Sequence, residues 1–294
     1  MTQHKSGFVN IIGNPNVGKS TLMNQLLGER LSIITNKAQT TRHRIFGILN
    51  DEDFQIVFSD TPGVLEPKYK LQEAMMSFVK TAVSDADIFI VMVSMDDENF
   101  NREDLIEKIK NSGIPIIVLI NKIDISNQEK VNASMDKWRA IFPTADIMPI
   151  AALEGYNVDK VIERVKELLP VGEPYYDKDQ LTDKPERFFV NEIIREKILN
   201  NYKQEIPYSV EVAVESFKET EEIIRMRAII YVERDSQKGI LIGKKGEALK
   251  KVGIEARKSC EAFFNKHVHL ELFVKVNKDW KNNPTSLRRF GYND

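Results

Sequence analysis

From residue 8 to 170 the chain repeats one rhythm: a short apolar run, a break, then a segment whose apolar positions recur at helical spacing. The runs FVNIIG, RIFGILN, FQIVFSD, DIFIVMVSM, IPIIVLI and DIMPIA read as strands. Several are apolar at nearly every position, as strands covered on both faces must be. Segments beginning near Thr21, Leu71, Arg102, Gln128 and Asn157 read as helices. Only Asp51–Asp53 separates RIFGILN from FQIVFSD, a hairpin signal. The pattern predicts a doubly wound α/β domain, its sheet mostly parallel with one antiparallel pair.

Near 170–185 the texture changes. LLPVGEPYYDKDQLTDKPE holds three prolines, a glycine and many charges, and reads as a linker. Beyond it, FFVNEIIREKILNNY has helical spacing, while YSVEVAVESF and IIRMRAIIYVE alternate like paired strands. SQKGILIG predicts a short helix and EALKKVGIEARKSCEAFF a longer one; HVHLELFVKV closes as an alternating strand. The expected organisation is a first domain over 1–172, a linker over 173–187, an α+β domain over 188–280 and a tail over 281–294.

Composition sharpens this only locally. The 294 residues carry a formal net charge of −2, so no global excess points to nucleic acid. Between Arg234 and Lys258, however, 8 basic residues face 3 acidic ones. Cys260 is the lone cysteine, which fits a reducing compartment. MTQHKSGF has no apolar signal core, and no run approaches the roughly 18 apolar residues of a membrane span. The expectation is a cytosolic protein, with peripheral membrane contact left open.

The chemistry concentrates at predicted strand ends. GNPNVGKS, Gly13 to Ser20, lies between a strand and a helix and fits the phosphate-cradling pattern G-x-x-x-x-G-K-[ST]. Gly13 and Gly18 let the backbone curl so that its N–H groups face inward beside a helix N-terminus. Asn14, Asn16, Val17 and Thr21 complete the expected nucleotide-contacting set in this loop; Lys19 would reach the outer phosphates and Ser20 a magnesium ion. FQIVFSD runs into DTPG, where Asp60 can hold magnesium through water and the Gly63 N–H can meet a γ-phosphate. IPIIVLI ends in NKID: Asp124 can accept both guanine N–H groups, a pattern adenine does not offer, Lys122 can lie along the base, and Asn121 joins them. Each short run also occurs as an ordinary loop; three in this order, each at a strand end, do not read as chance.

GNPNVGKS, DTPG and NKID resemble the Ras-like superfamily of GTPases over about residues 1–170. That resemblance implies a mobile loop supplying a threonine to magnesium, and within QTTRH it points to Thr41. Lys19, Thr41 and Gly63 are then the expected catalytic contacts. It implies a further element touching the guanine carbonyl, often Ser-Ala. Here Ile150-Ala151-Ala152 lacks the serine hydroxyl, leaving a backbone N–H at Ala152 for that contact. Val64 follows DTPG where Ras-type enzymes place a water-orienting glutamine, so catalytic help must come from backbone groups, a partner or a monovalent cation. Asn16 stands where potassium-dependent members have a cation-coordinating asparagine; capping the loop's own backbone is the alternative.

In the second domain GKKG, Gly243 to Gly246, joins a short and a long helix beside three strands. This resembles a type II KH domain, whose GxxG loop clamps single-stranded nucleic acid. The expected RNA-contacting residues are Lys238, Ile240, Gly243, Lys244, Lys245, Gly246 and Lys250; Leu241, Ile242 and Leu249 are expected to line the apolar side of the groove. A Ras-like domain followed by a type II KH domain, with QTTRHRI, RDSQKGILIGKKG and W-x6-LRRFGY (Trp280 to Tyr292), resembles the Era family. That implies GTP or GDP with Mg2+ as ligands, K+ as an open addition, and a monomer in the cytoplasm with inner-membrane association left open. It also implies binding near the 3′ end of small-subunit ribosomal RNA and action in assembling the small ribosomal subunit. A non-catalytic GTP-dependent RNA-binding switch is the alternative, favoured by Val64 and opposed by Thr41, Asp60 and the intact phosphate loop. An RNA-modifying GTPase lacks any cofactor or nucleophile motif.

Other residues are read as structural. His267 and His269 have metal-ligand spacing but no Cys/His companions. Cys260, Met75, Met76, Trp138 and Phe142 read as packing, and Asp96–Glu98 as a solvated loop.

Overall fold

A computed structural model of the chain describes residues 3–96 and 100–292. It divides into two compact units: Met1–Ser32 with Thr41–Lys68 and Gln72–Asp183, and Ile33–Thr40 with Tyr69–Leu71 and Lys184–Asp294.

The first unit alternates strands and helices in the predicted order: β1 (Lys5–Ile12), α1 (Lys19–Leu27), β2 (Ile45–Asn50), β3 (Phe54–Asp60), α2 (Lys70–Ser84), β4 (Ile88–Ser94), α3 (Glu103–Lys110), β5 (Ile116–Asn121), α4 (Gln128–Ile141), β6 (Asp146–Pro149) and α5 (Val158–Leu168). The sheet order is β2-β3-β1-β4-β5-β6, with β2 and β3 antiparallel and all other neighbours parallel. β3, β4 and β5 are buried at every residue, which is why they read as unbroken apolar runs. Because β1 lies between β3 and β4, the connections diverge at its carboxyl end and open a crevice there. Trp138 and Phe142 stack in the interior, and Met75 and Met76 are buried.

The proline-rich stretch after α5 is tied down as far as Asp183. Gly172 N–H donates to the His4 carbonyl at 3.1 Å, and the Ser6 hydroxyl to Glu173 O at 2.6 Å. The buried Gln55 carboxamide accepts from Tyr175 N and Tyr176 N at 2.7 and 3.0 Å. Leu181 O and Thr182 then pair with Ile48 and Gly47 on β2. This strap covers an edge strand that would otherwise present unpaired backbone groups. Residues 173–183 of the expected linker thus lie with the first unit and 184–187 with the second.

The second unit contains α6 (Glu186–Asn201), α7 (Ile206–Ser209), β7 (Glu211–Glu219), β8 (Ile223–Val232), α8 (Asp235–Ile242), α9 (Glu247–Phe264), β9 (His267–Val276) and α10 (Pro284–Arg289). β7 and β8 form an antiparallel hairpin, and β9 returns parallel to β8 after the two intervening helices. Its core interleaves every second residue of β8 (Ile224, Met226, Ala228, Ile230, Val232) with Ile194 and Ile198 of α6 and with Val252, Ala256 and Cys260, four apart on α9. Burial pushes the Cys260 thiol up to about 12, leaving it an inert packing group. The tail is anchored through Tyr292, which is buried and donates to Glu211 at 2.6 Å, and the buried Trp280 just before it donates from Nε1 to Ser209 O at 3.0 Å.

Candidate nucleotide and nucleic-acid sites

The phosphate loop occupies the crevice after β1, and its glycines are required by contact. A Cβ at Gly13 would come within 2.3 Å of Met92 O, and one at Gly18, where φ is 104°, within 2.3 Å of Asn121 Nδ2. Gly18 is also the N-cap of α1, so the helix's first N–H groups open onto the loop. Asn16 adopts φ 65°, a left-handed conformation that asparagine tolerates better than most residues. Lys19 is buried, its ammonium donating to the Gly13 and Asn14 carbonyls at 2.9 and 2.7 Å, so the cation is already held inside the loop.

Three oxygens from three separate segments converge beside it. The Ser20 hydroxyl donates to Asp60 Oδ2 at 2.7 Å and lies 2.9 Å from Thr41 Oγ1, which donates to the same Asp60 oxygen at 3.3 Å. Asp60 is fully buried, and its other oxygen, Oδ1, has no hydrogen-bond partner. Burial holds its carboxyl above the usual carboxylate range, against the pull of Ser20 and Lys19. A buried carboxylate with one oxygen lacking a well-formed hydrogen bond, beside two hydroxyls, is a hard-oxygen set that suits Mg2+. In DTPG, Thr61 Oγ1 donates to Ile11 O at 2.7 Å. A Cβ at Gly63 would approach the Pro15 backbone to 2.7 Å, so that turn runs flush against the phosphate loop.

Val64 is completely buried, and its N–H donates to Gly13 O at 3.0 Å. Its apolar side chain has no means of orienting water. Asn101, not singled out by any sequence motif, touches both sides here: its N–H donates to Asn14 Oδ1 at 3.0 Å and its Nδ2 to Val64 O at 2.9 Å.

At the other end of the crevice Asn121 acts as a strut. Its Nδ2 donates to Val17 O at 2.8 Å and its Oδ1 accepts from Ala152 N at 2.9 Å, joining three loops through one side chain. The Ala152 N–H expected to face a guanine carbonyl is therefore engaged with Asn121, and the Ala151 N–H is engaged with Tyr156 O at 3.3 Å. Asp124 is exposed in a short turn, Ile123–Ile125, and Lys122 pairs with Asp96 at 3.2 Å. Asp97 and Glu98 of the expected solvated loop fall outside the described residues.

In the second unit the GKKG backbone is tightly wound. Gly243, Lys245 and Gly246 all have positive φ (72°, 52° and 80°), and a Cβ at Gly243 would strike that of Ala248 at 2.6 Å. Around Gly246 there is open space, so a backbone can approach it. Lys244, Lys245 and Lys250 are exposed, and Ile240 is 50% exposed at the same end of α8. Leu241 does not line a groove: it is fully buried in the unit's core, with Ile242 and Leu249 packed partly against that core. One residue of a helix turn separates Ile240 from Leu241, which turns them to different faces. Phe273 on β9, half exposed with the Arg227 guanidinium over its ring at 5.2 Å, is an aromatic surface that sequence reading passed over. His267 and His269 pair with Glu261 and Glu271, and no metal-binding group of His, Cys, Asp and Glu exists among the described residues.

Both parts of the chain are similar to known proteins. A family described as 50S ribosome-binding GTPase matches residues 8–122, and the KH domain family matches 205–281. An Aquifex aeolicus Era variant bound to GDP and AlF4− is 39% identical, with a TM-score of 0.94 over 98% of this chain and 99% of that one. A second Era structure, in complex with MgGDPNP and nucleotides 1506–1542 of 16S ribosomal RNA, has the same identity, TM-score and coverage.

Proposed function

Since this chain belongs to the Era family of GTPases, we propose that it binds and hydrolyses GTP at the crevice after β1, binds single-stranded RNA near the 3′ end of small-subunit ribosomal RNA, and acts in assembling the small ribosomal subunit. The observation that carries the reading is the convergence of Ser20, Thr41 and the half-unsatisfied Asp60 beside the glycine-walled phosphate loop. Ser20 and Thr41 would hold Mg2+ directly and Asp60 through water; the ion, when bound, neutralises charge on the β- and γ-phosphate oxygens. Lys19 would exchange its two loop carbonyls for phosphate oxygens, and the Gly63 N–H would orient the γ-phosphate. Asp124 selects guanine by accepting two N–H groups, and Lys122 covers the base. At the RNA site Lys244 and Lys245 supply charge around a backbone that can approach phosphate, beside Ile240 and the flanking Lys238 and Lys250.

The protein works as a monomer in the cytoplasm in this reading; no described helix is long and apolar enough to cross a membrane. The buried Val64 favours one second reading, a switch that binds GTP without turning it over appreciably. Single-turnover hydrolysis with and without small ribosomal subunits, in potassium and in sodium at matched ionic strength, separates the two. Hydrolysis that quickens with subunits or potassium supports the enzyme. Faster hydrolysis in potassium alone would assign Asn16 a cation, and equal negligible rates throughout leave the switch.

A further inference from the structure

Within the first unit, the DTPG turn is tied down on both sides of Gly63. Before it, the Thr61 hydroxyl donates to Ile11 O at 2.7 Å. After it, Val64 is completely buried and both of its backbone polar groups are used. Its N–H donates to Gly13 O at 3.0 Å, and its carbonyl accepts from Asn101 Nδ2 at 2.9 Å. Leu65 N–H then points at Met76 Sδ, a weak acceptor 3.5 Å away. The partners of three of these ties belong to β1, the phosphate loop and α2. Asn101 alone comes from the connection between β4 and α3. Because β1 lies between β3 and β4, the phosphate loop that follows β1 is flanked by the DTPG turn on one side and by this connection on the other.

The chain is anchored on either side of Asn101: Phe100 is buried, and Arg102 is the N-cap of α3. The Asn101 N–H donates to Asn14 Oδ1 at 3.0 Å. One residue therefore grips the phosphate loop through its backbone and the DTPG turn through its side chain. Asn101 is itself exposed, so its carboxamide is not there to fill a core. What that group does is supply the donor that the carbonyl of a buried residue requires.

With an apolar side chain at Val64, the turn can act on a phosphate only through its backbone. That backbone is placed by the close approach of Gly63 to Pro15, where a Cβ would come within 2.7 Å, and by the two bonds of Val64. We propose that Asn101 is a positioning residue for the γ-phosphate: it holds Gly63 and Val64 against the phosphate loop, so that the Gly63 N–H meets a triphosphate and helps the site tell GTP from GDP. This rests on the γ-phosphate contact given to Gly63 above. A diphosphate offers Gly63 nothing to meet. Docking of the turn therefore favours the triphosphate alone, and the triphosphate favours docking by the same factor.

The test is a titration of the full chain with GDP and with the non-hydrolysable triphosphate GDPNP, both in Mg2+, read as the ratio of the two dissociation constants. Asn101→Ala removes one neutral hydrogen bond, keeps the N–H to Asn14, and should weaken GDPNP binding about fivefold while GDP stays within about twofold. Asn101→Asp keeps the shape but sets a carboxylate against the Val64 carbonyl, and should weaken GDPNP binding further. The side chain is exposed, so both variants should fold. Gly63→Ala, which forces the turn off Pro15, should shift the ratio by itself, and adding Asn101→Ala should then shift it no further. A ratio unmoved by Gly63→Ala would remove the γ-phosphate contact, and the role of Asn101 with it. A ratio moved by Gly63→Ala but by neither Asn101 variant would overturn the positioning role and leave the contact standing. Equal losses of GDP and GDPNP in the Asn101 variants would also overturn it, making Asn101 a support of the loop for any nucleotide.

Discussion

Replacing Asp60 by asparagine removes one charge at almost constant shape from a fully buried polar position in the nucleotide site. Asp60 Oδ1 is buried without a hydrogen bond of good geometry, and the equally unsatisfied Ser32 hydroxyl beside the carboxylate offers it at best a poorly aligned one. An acceptor left in this state costs about 1–3 kcal/mol, more when charged. An asparagine can keep an oxygen toward Ser20 and Thr41 while turning its amide toward Ser32. The gain should therefore be about 1–3 kcal/mol in the absence of magnesium. For a unit of this size that corresponds to a rise of about 2–12 °C in melting temperature. With magnesium and nucleotide the sign reverses. A ligand at a hundred times its Kd adds about 2.7 kcal/mol to the wild type, and the variant should forfeit the magnesium-dependent part of that. Thermal unfolding of both proteins in EDTA, then in Mg2+ with GDP, reads both halves. A variant that melts lower than wild type in EDTA would mean Asp60 is structurally satisfied, and equal gains from magnesium in both proteins would place the ion elsewhere.

Two further outcomes follow from the geometry. Asp124→Asn should weaken GTP binding by roughly 2–4 kcal/mol and shift preference toward XTP, because an amide donates where the carboxylate accepted two N–H groups; parallel GTP and XTP titrations check it, and an unchanged GTP affinity would take NKID out of base recognition. Lys244→Asp with Lys245→Asp should abolish binding of a single-stranded RNA matching the 3′ end of small-subunit ribosomal RNA and spare GTP binding. In the wild type, log affinity for RNA should fall against log salt with a slope of about −0.7 per phosphate neutralised; persistence of RNA binding with an unaltered slope would make GKKG a turn only.

What could be read from the chain divides along a physical line. β3, β4 and β5 announced themselves because both their faces are buried, and the nucleotide loops because their glycines and carboxylates admit few substitutes. In both cases the constraint is local, so it is written in adjacent residues. Where a partner lies far along the chain, no such mark exists. Gln55 alternates like any strand residue, yet it is buried to hold Tyr175 and Tyr176, 120 and 121 residues away. Leu241 follows Ile240 in an apolar run, and only the direction of the helix decides that one meets the core and the other solvent. Ala152 carries no side-chain signal at all; its N–H is committed by Asn121, a residue whose own motif suggested base contact rather than bracing. Arg195 is the sharpest case. Within REKILNN it reads as one more charge on a helix face, while in the folded chain it is buried against the Thr40 carbonyl, 155 residues earlier. A full charge withdrawn from water at that cost has to be held by something, and what holds it is Glu192 together with the loop that leads into Thr41. By contact, Ile33–Thr40 belongs to the unit that follows it by more than a hundred residues, and no composition shift marks that.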